Sequence, residues 1–232
     1  MFNKQKKKST VNRNKKLIAS LSPKSPISEQ YRTIRTNIQF ASIDYEIQSI
    51  MVTSAEPGAG KSTTSANLAV VFAQQGKRVL IIDSDLRKPT LHHIFKVHNN
   101  DGLTSVLMKS KQLEEVIVPT NEPNVFLLTS GPIPPNPAEL LISKAMKFIY
   151  NKVIHEYDLV IFDTPPILAV TDSQIVSHYC DGTIIVVASE QTKKEQLKKG
   201  IELLNFSKAR IVGTVLNNKK LSNHDNHYYY YS

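Results

Sequence analysis

Two rhythms of apolar residues run along the chain. Short stretches rich in Val, Ile and Leu recur at 49–54, 79–82, 125–128, 159–162, 183–188 and 211–216. Stretches that short, with apolar residues in succession rather than alternating, predict strands covered on both faces, the mark of a parallel sheet flanked by helices. Between them the spacing turns helical. Ile27, Tyr31, Ile34 and Ile38 fall on one face of a helix predicted from 27 to about 42, with Ser28 as its N-cap. Further helices are expected at 61–75, closed by Gly76, at 138–155 and at 193–206, with short ones at 89–95 and 104–108. The expected fold class is α/β, a mostly parallel sheet with helices on both faces. Residues 131–137 form a proline-rich loop, and no internal repeat is visible.

Composition narrows this picture. The 232 residues, 41% hydrophobic and 21% charged, suit one globular domain with tails. No apolar run approaches the roughly 20 residues of a membrane helix, and the polar, basic start carries no secretory h-region. The single cysteine, Cys180, excludes an intramolecular disulfide and a cysteine zinc cluster. The net charge of +9 is uneven: eight of the 29 basic residues lie within the first 24, which hold no Asp or Glu. A basic arm is therefore expected over 1–25, a folded domain over 26–216 and a mobile polar tail over 217–232. The body is nearly neutral, so no nucleic-acid groove is expected in it. The arm suits an anionic membrane face, nucleic acid or plain solvent equally well.

The chemistry is concentrated at strand ends. Ala55-Glu-Pro-Gly-Ala-Gly-Lys-Ser62-Thr63 follows a strand and opens a helix, the context of a P-loop. Gly58, Ala59 and Gly60 would turn their amides toward phosphate, Lys61 would neutralise it, and Ser62, followed by Thr63, would offer a hydroxyl to Mg²⁺. The first glycine of the usual motif is replaced by Ala55, tolerable where φ is ordinary. Asp83 and Asp85, followed by Arg87, close one strand; Asp163, before Thr-Pro-Pro166, closes another in the manner of a Walker B strand. Ligands of open α/β sheets bind at that end, and Mg²⁺ needs only one or two carboxylates beside phosphate. The histidines lack metal spacing, and no Ser-His-Asp order suggests a hydrolase.

Together, the P-loop, Asp83-x-Asp85-x-Arg87, Asp163-Thr-Pro-Pro and the terminal Tyr228-Tyr229-Tyr230-Tyr231 resemble the bacterial protein-tyrosine kinases. The chain looks most like the stand-alone cytoplasmic kinase of Gram-positive capsular polysaccharide synthesis, over about residues 26–232. The loop beginning at Gly131 and the helix motif Glu29-x-x-Arg32-x-x-Arg35 match as well. The resemblance implies a P-loop NTPase fold, with ATP and Mg²⁺ as cofactors. Lys61 and Ser62 would hold phosphate and metal, Asp85 and Asp163 would organise Mg²⁺, Asp83 would act as base, and Arg87 would complete the catalytic set. Tyr228–Tyr231 would be autophosphorylated. Glu29, Arg32 and Arg35 would join subunits of a homo-oligomeric ring, although solvated charges explain the two arginines as well. Asn217 would touch the adenine. The family further implies protein tyrosine substrates, a membrane adaptor whose cytoplasmic end activates the kinase, a location at the inner face of the membrane and control of polysaccharide production. The nearest alternative is a ParA/MinD-type ATPase switch. It carries an extra lysine where this chain has Glu56 and has no tyrosine tail.

Overall fold

The computed structural model describes residues 17–41 and 46–220. Most of the basic arm and all of Tyr228–Tyr231 lie outside them. The chain runs α1 (Ile18–Leu21), α2 (Pro26–Phe40), β1 (Ser49–Ser54), α3 (Lys61–Ala73), β2 (Val79–Asp83), α4 (Leu91–Phe95), α5 (Leu103–Leu107), α6 (Leu113–Val116), β3 (Ile117–Pro119) and β4 (Val125–Leu128). It continues through α7 (Pro137–Leu141), α8 (Lys144–Glu156), β5 (Leu159–Asp163), α9 (Asp172–Ser177), β6 (Gly182–Ala188), α10 (Lys194–Phe206) and β7 (Ile211–Asn217).

One sheet of order β3-β4-β2-β5-β1-β6-β7 holds all the strands of the described residues. Every pairing is parallel except that of β3 with β4. The apolar runs are explained by burial on both faces. Ile50, Val52, Ile81 and Ile161 pack with α2, α3 and α4, whereas Met51, Leu80, Ile82 and Phe162 pack with α5, α8, α9 and α10. Alternate residues thus enter two cores. Helix α3 lies between the sheet and the outer helices α1, α2 and α4, and all its residues but Ser62 and Thr63 are buried, so it shows no polar stripe.

Several boundaries differ from the sequence expectation. Composition assigns Leu17–Ser25 to the arm, yet α1 is packed: Ala19 is fully buried, and its N–H donates to Asn67 Oδ1 at 2.9 Å. The N-cap of α2 is Ser25, whose hydroxyl accepts from the Ser28 N–H, with Pro26 in the first turn. Ser28 instead turns inward and donates to the carbonyls of Ile18 and Ser22, fastening α1 to α2. Ile27, expected on the apolar face, is half exposed. The helix expected at 138–155 is two helices, because the Ser143 hydroxyl caps Met146 N–H and starts α8 anew. Strand β3 was not expected; its three residues, ending in Pro119, carry too little pattern, and it sits at the sheet edge. Asn217, placed by sequence at the head of the tail, is the last residue of β7.

Candidate active site

Because β1, β2 and β5 are parallel neighbours, their C-terminal ends open on one edge of the sheet, and the P-loop leaves β1 there. Gly58 and Gly60 adopt φ of +82° and +93°, the left-handed region in which a side chain is strained. Ala55 keeps a negative φ, so the missing first glycine costs the loop nothing. Lys61 opens α3 with its side chain largely buried, and Ser62 and Thr63 are half-buried beside it. The first-turn amides of α3 supply the partial positive charge that attracts an anion.

Asn217 reaches this loop from β7. Its side-chain amide donates to the Ala59 carbonyl at 2.9 Å, and a Cβ on Gly60 would collide with it. Asn217 thus braces the P-loop at Ala59. Glycine at position 60 is favoured by its φ, and a Cβ there would also displace the Asn217 amide from Ala59.

The two strand-end aspartates lie side by side. Asp83 and Asp163 are register partners across β2 and β5, and both are fully buried. Asp83 Oδ2 accepts the N–H groups of Thr90 and Leu91, each at 3.0 Å, while Oδ1 has no partner. Asp163 Oδ1 accepts from the Ser65 hydroxyl at 3.0 Å, while Oδ2 has none. Burial, then the neighbouring Asp163 and Asp85 charges, push Asp83 well above the usual carboxylate range. Burial also raises Asp163, to about 6, against the opposing pull of Lys61 and the Ser62 and Ser65 hydroxyls. Asp85 sits at the rim, almost buried, its Oδ1 accepting Lys88 N–H at 3.0 Å.

Paired buried carboxylates with unpartnered oxygens are costly unless a cation joins them. Among the described residues no three His, Cys, Asp or Glu side chains form a ready-made metal cluster. Mg²⁺ needs none, since it keeps waters and takes phosphate oxygens. The free oxygen of Asp163, the Asp85 carboxylate and the Ser62 hydroxyl are hard donors of the right kind, so the residues fit Mg²⁺ bound together with a nucleotide phosphate.

Arg87 is not a free cation over this cleft. Its Nε and Nη2 donate to Asp172 Oδ2 and Oδ1 at 2.9 and 3.1 Å. Asp172 and Ser65 carry no pattern that singles them out in the sequence. Ser65, at least, could have been found one helical turn after Ser62, on the same face of α3.

Glu29, Arg32 and Arg35 lie elsewhere. Glu29 and Arg32 form an ion pair on α2, and Arg35 Nη1 donates to the Val71 carbonyl at 2.8 Å. Val71 is ten residues into α3, about 15 Å along the helix from Lys61. Arg35 is therefore partly engaged with its own chain rather than simply solvated, and burial lowers its pKa.

Known proteins share this architecture. A family model described as AAA domain matches residues 47–219. Tyrosine-protein kinase YwqD of Bacillus subtilis (strain 168) is 57% identical over 214 residues, 92% of this chain and 90% of that protein. Putative tyrosine-protein kinase CapB of Staphylococcus aureus is 41% identical over 226 residues, 97% and 98% of the two chains. Among solved structures, the chimerical protein CapA2B2 superposes with a TM-score of 0.87 at 48% identity, over 89% of this chain and 91% of that one. The septum site-determining protein MinD of Pyrococcus horikoshii OT3, complexed with Mg-ADP, gives 0.65 at 26% identity, over 77% and 73%. With near-complete coverage of kinases at these identities, and a P-loop opposed by strand-end aspartates, the chain belongs to the bacterial tyrosine-protein kinases.

Proposed function

We propose that this kinase moves the γ-phosphoryl group of ATP to tyrosine hydroxyls, its own Tyr228–Tyr231 among them, and thereby governs production and export of a capsular or extracellular polysaccharide. The observation that carries the site assignment is the Asp83–Asp163 pair, each with one buried, unpartnered oxygen, beside the P-loop. The MinD complex with Mg-ADP on the same fold supports nucleotide and metal binding here.

The residues divide the work as follows. Lys61 and the amides of Gly58, Ala59 and Gly60 hold the phosphates in line. Asp163, Ser62 and Asp85 hold Mg²⁺, which when bound neutralises phosphate charge. A free tyrosine has a pKa of about 10, so its proton needs an acceptor at neutral pH. Asp83, with a raised pKa, is a better acceptor than an ordinary carboxylate. Its Oδ1 has no partner of its own and so is free to take that proton. The P–O bond to ADP breaks as the tyrosine oxygen bonds phosphorus.

No helix among the described residues is long and apolar enough to cross a membrane. In this reading a membrane adaptor with a cytoplasmic C-terminal segment brings the kinase to the inner face of the membrane and activates it. Glu29, Arg32 and Arg35 join copies into a ring, and the tails are presented to neighbouring sites. Each phosphotyrosine adds about −1.5 to −2 charge, and their repulsion would loosen the ring. The test is an antiphosphotyrosine blot after Mg-ATP, with and without an adaptor peptide, for the wild type, Lys61→Met and a chain ending before Tyr228. The reading expects signal in the wild type alone. Signal surviving in the truncated chain would place the acceptor elsewhere; ATP hydrolysis with no phosphotyrosine under any condition would overturn the kinase mechanism.

A further inference from the structure

The loop between β2 and α4 carries Asp85 and Arg87 and curls back so that Thr90 and Leu91 donate to Asp83. Few bonds hold its middle: Ser84 N–H donates to the Asp163 carbonyl at 2.8 Å, and Asp85 accepts from Lys88. The remaining tie is the two-pronged ion pair of Arg87 with Asp172. Asp172 is fully buried at the start of α9, whereas the Arg87 side chain is 39% exposed. A buried carboxylate persists only with a close partner, and a planar guanidinium fork meeting both oxygens fixes orientation as well as distance.

The far side of this tie is rigid. Ser173, next to Asp172, donates its hydroxyl to the Pro165 carbonyl, which also accepts from Thr53 Oγ1 at 2.9 Å. Thr164 Oγ1 donates to the Val52 carbonyl at 3.0 Å, and Ile167 N–H to the Ser54 carbonyl at 2.9 Å. Asp172 thus stands on a segment pinned to β1, the strand that launches the P-loop. The 163–172 segment follows one strand-end aspartate, and the 84–90 loop follows the other. Arg87–Asp172 is the side-chain bridge between them.

We propose that Asp172 is a positioning residue for phosphoryl transfer: through Arg87 it locks the 84–90 loop against the Asp163 segment, so that Asp85 stays at the rim of the site. Asp172 touches no substrate in this account; it acts through Arg87. The proposal rests on the assignment of Asp83, Asp85 and Asp163 to the kinase site. Losing it frees the loop, lowers kcat and weakens the response to Mg²⁺, while the P-loop, anchored on β1 and α3, still binds nucleotide.

The test uses the full chain with its activating peptide and reads phosphotyrosine formation at varied Mg²⁺ and ATP, alongside binding of a fluorescent ATP analogue. For Asp172→Asn and Arg87→Ala, kcat is expected to fall about 10- to 100-fold, the range seen when a residue holding a catalytic ligand is removed. The Mg²⁺ half-saturation should rise and the affinity for the analogue should change little. The double variant should be no worse than either single one. Added guanidinium at non-denaturing, millimolar concentration should restore part of the activity of Arg87→Ala, where the Asp172 site remains, but none in Arg87→Ala/Asp172→Asn. Rescue of Arg87→Ala is read on a chain that keeps Asp172, and its absence in folded Arg87→Ala would overturn the proposal even if Asp172→Asn folds poorly. Equal rescue of both, additive losses, or wild-type kcat and Mg²⁺ response in folded Asp172→Asn would overturn the proposal. Lys61→Met separates the two levels of the account: if it too stays active, the site assignment has failed; if it is inactive while the Arg87 and Asp172 variants are normal, only the bridge has.

Discussion

Two aspartates at opposite ends of the same sheet have opposite surroundings. Asp163 closes β5 at the P-loop edge, fully buried, with one oxygen unpartnered and its pKa raised to about 6. Asp181 precedes β6 at the other edge, and its Oδ2 accepts the N–H groups of Gln48 and Ser49 and the Ser49 hydroxyl, at 3.0, 2.9 and 2.8 Å. Asp181 completes a network; Asp163 keeps one oxygen without a partner. Room does not follow chemistry. A groove of about 920 Å³ opens beside Asp181, lined by Ile142, Tyr150, Cys180 and Phe206 among others, with none of the paired buried carboxylates. The difference teaches that unsatisfied buried polarity, not cavity size, sets the proposed site apart from the rest of the molecule.

That contrast sets a graded series of expectations. Lys61→Met at the P-loop edge should lower phosphotyrosine formation about 100- to 1000-fold, the scale of losing one preorganised charge stabiliser, with an unchanged melting curve. The titration of Asp163 should be read by the metal. A carboxyl with a pKa of about 6 is mostly protonated at pH 5 and mostly ionised at pH 7, so Mg²⁺ affinity measured by calorimetry with a nucleotide should be about tenfold weaker at pH 5. Without Mg²⁺ the sign reverses for stability. The folded state binds this proton more tightly than the unfolded chain, so the contribution of Asp163 to stability declines as pH rises from about 4 to about 6 and is level above that. Asn217→Ala should raise the KM for ATP about fivefold, the equivalent of one hydrogen bond of about 1 kcal/mol, by loosening the brace on Ala59. At the other edge, Phe206→Ser, at a side chain 85% exposed, should leave kinase activity unchanged and stability within about 0.5 kcal/mol.

The sequence made the site's directional parts legible because they depend on local order. A strand, two glycines, a lysine and a helix in succession need no distant partner, and a carboxylate at the end of an apolar run is placed by the sheet alone. Asp172 was not legible. It lies 85 residues from Arg87 in an unpatterned stretch, and only the packing of α9 on β1 brings the two together. Asn217 was read as a ligand residue because its place after a strand is visible, whereas its contact with Ala59 depends on the close approach that Gly60 permits. The α1 turn was hidden by the basic, proline-flanked composition around it, and β3 by its length. Local chemistry was thus readable, and the bonds that hold it in place were not.

The central claim is that the unpartnered aspartate pair, and not the satisfied aspartate at the opposite edge, performs phosphoryl transfer. The direct test is the rate of phosphotyrosine formation from γ-labelled ATP by Asp83→Asn, Asp163→Asn and Asp181→Asn, each normalised to folded protein. The account predicts a loss of about 100-fold or more in the first two, and a wild-type rate with a lowered melting temperature in the third. Wild-type transfer by folded Asp83→Asn and Asp163→Asn would contradict it.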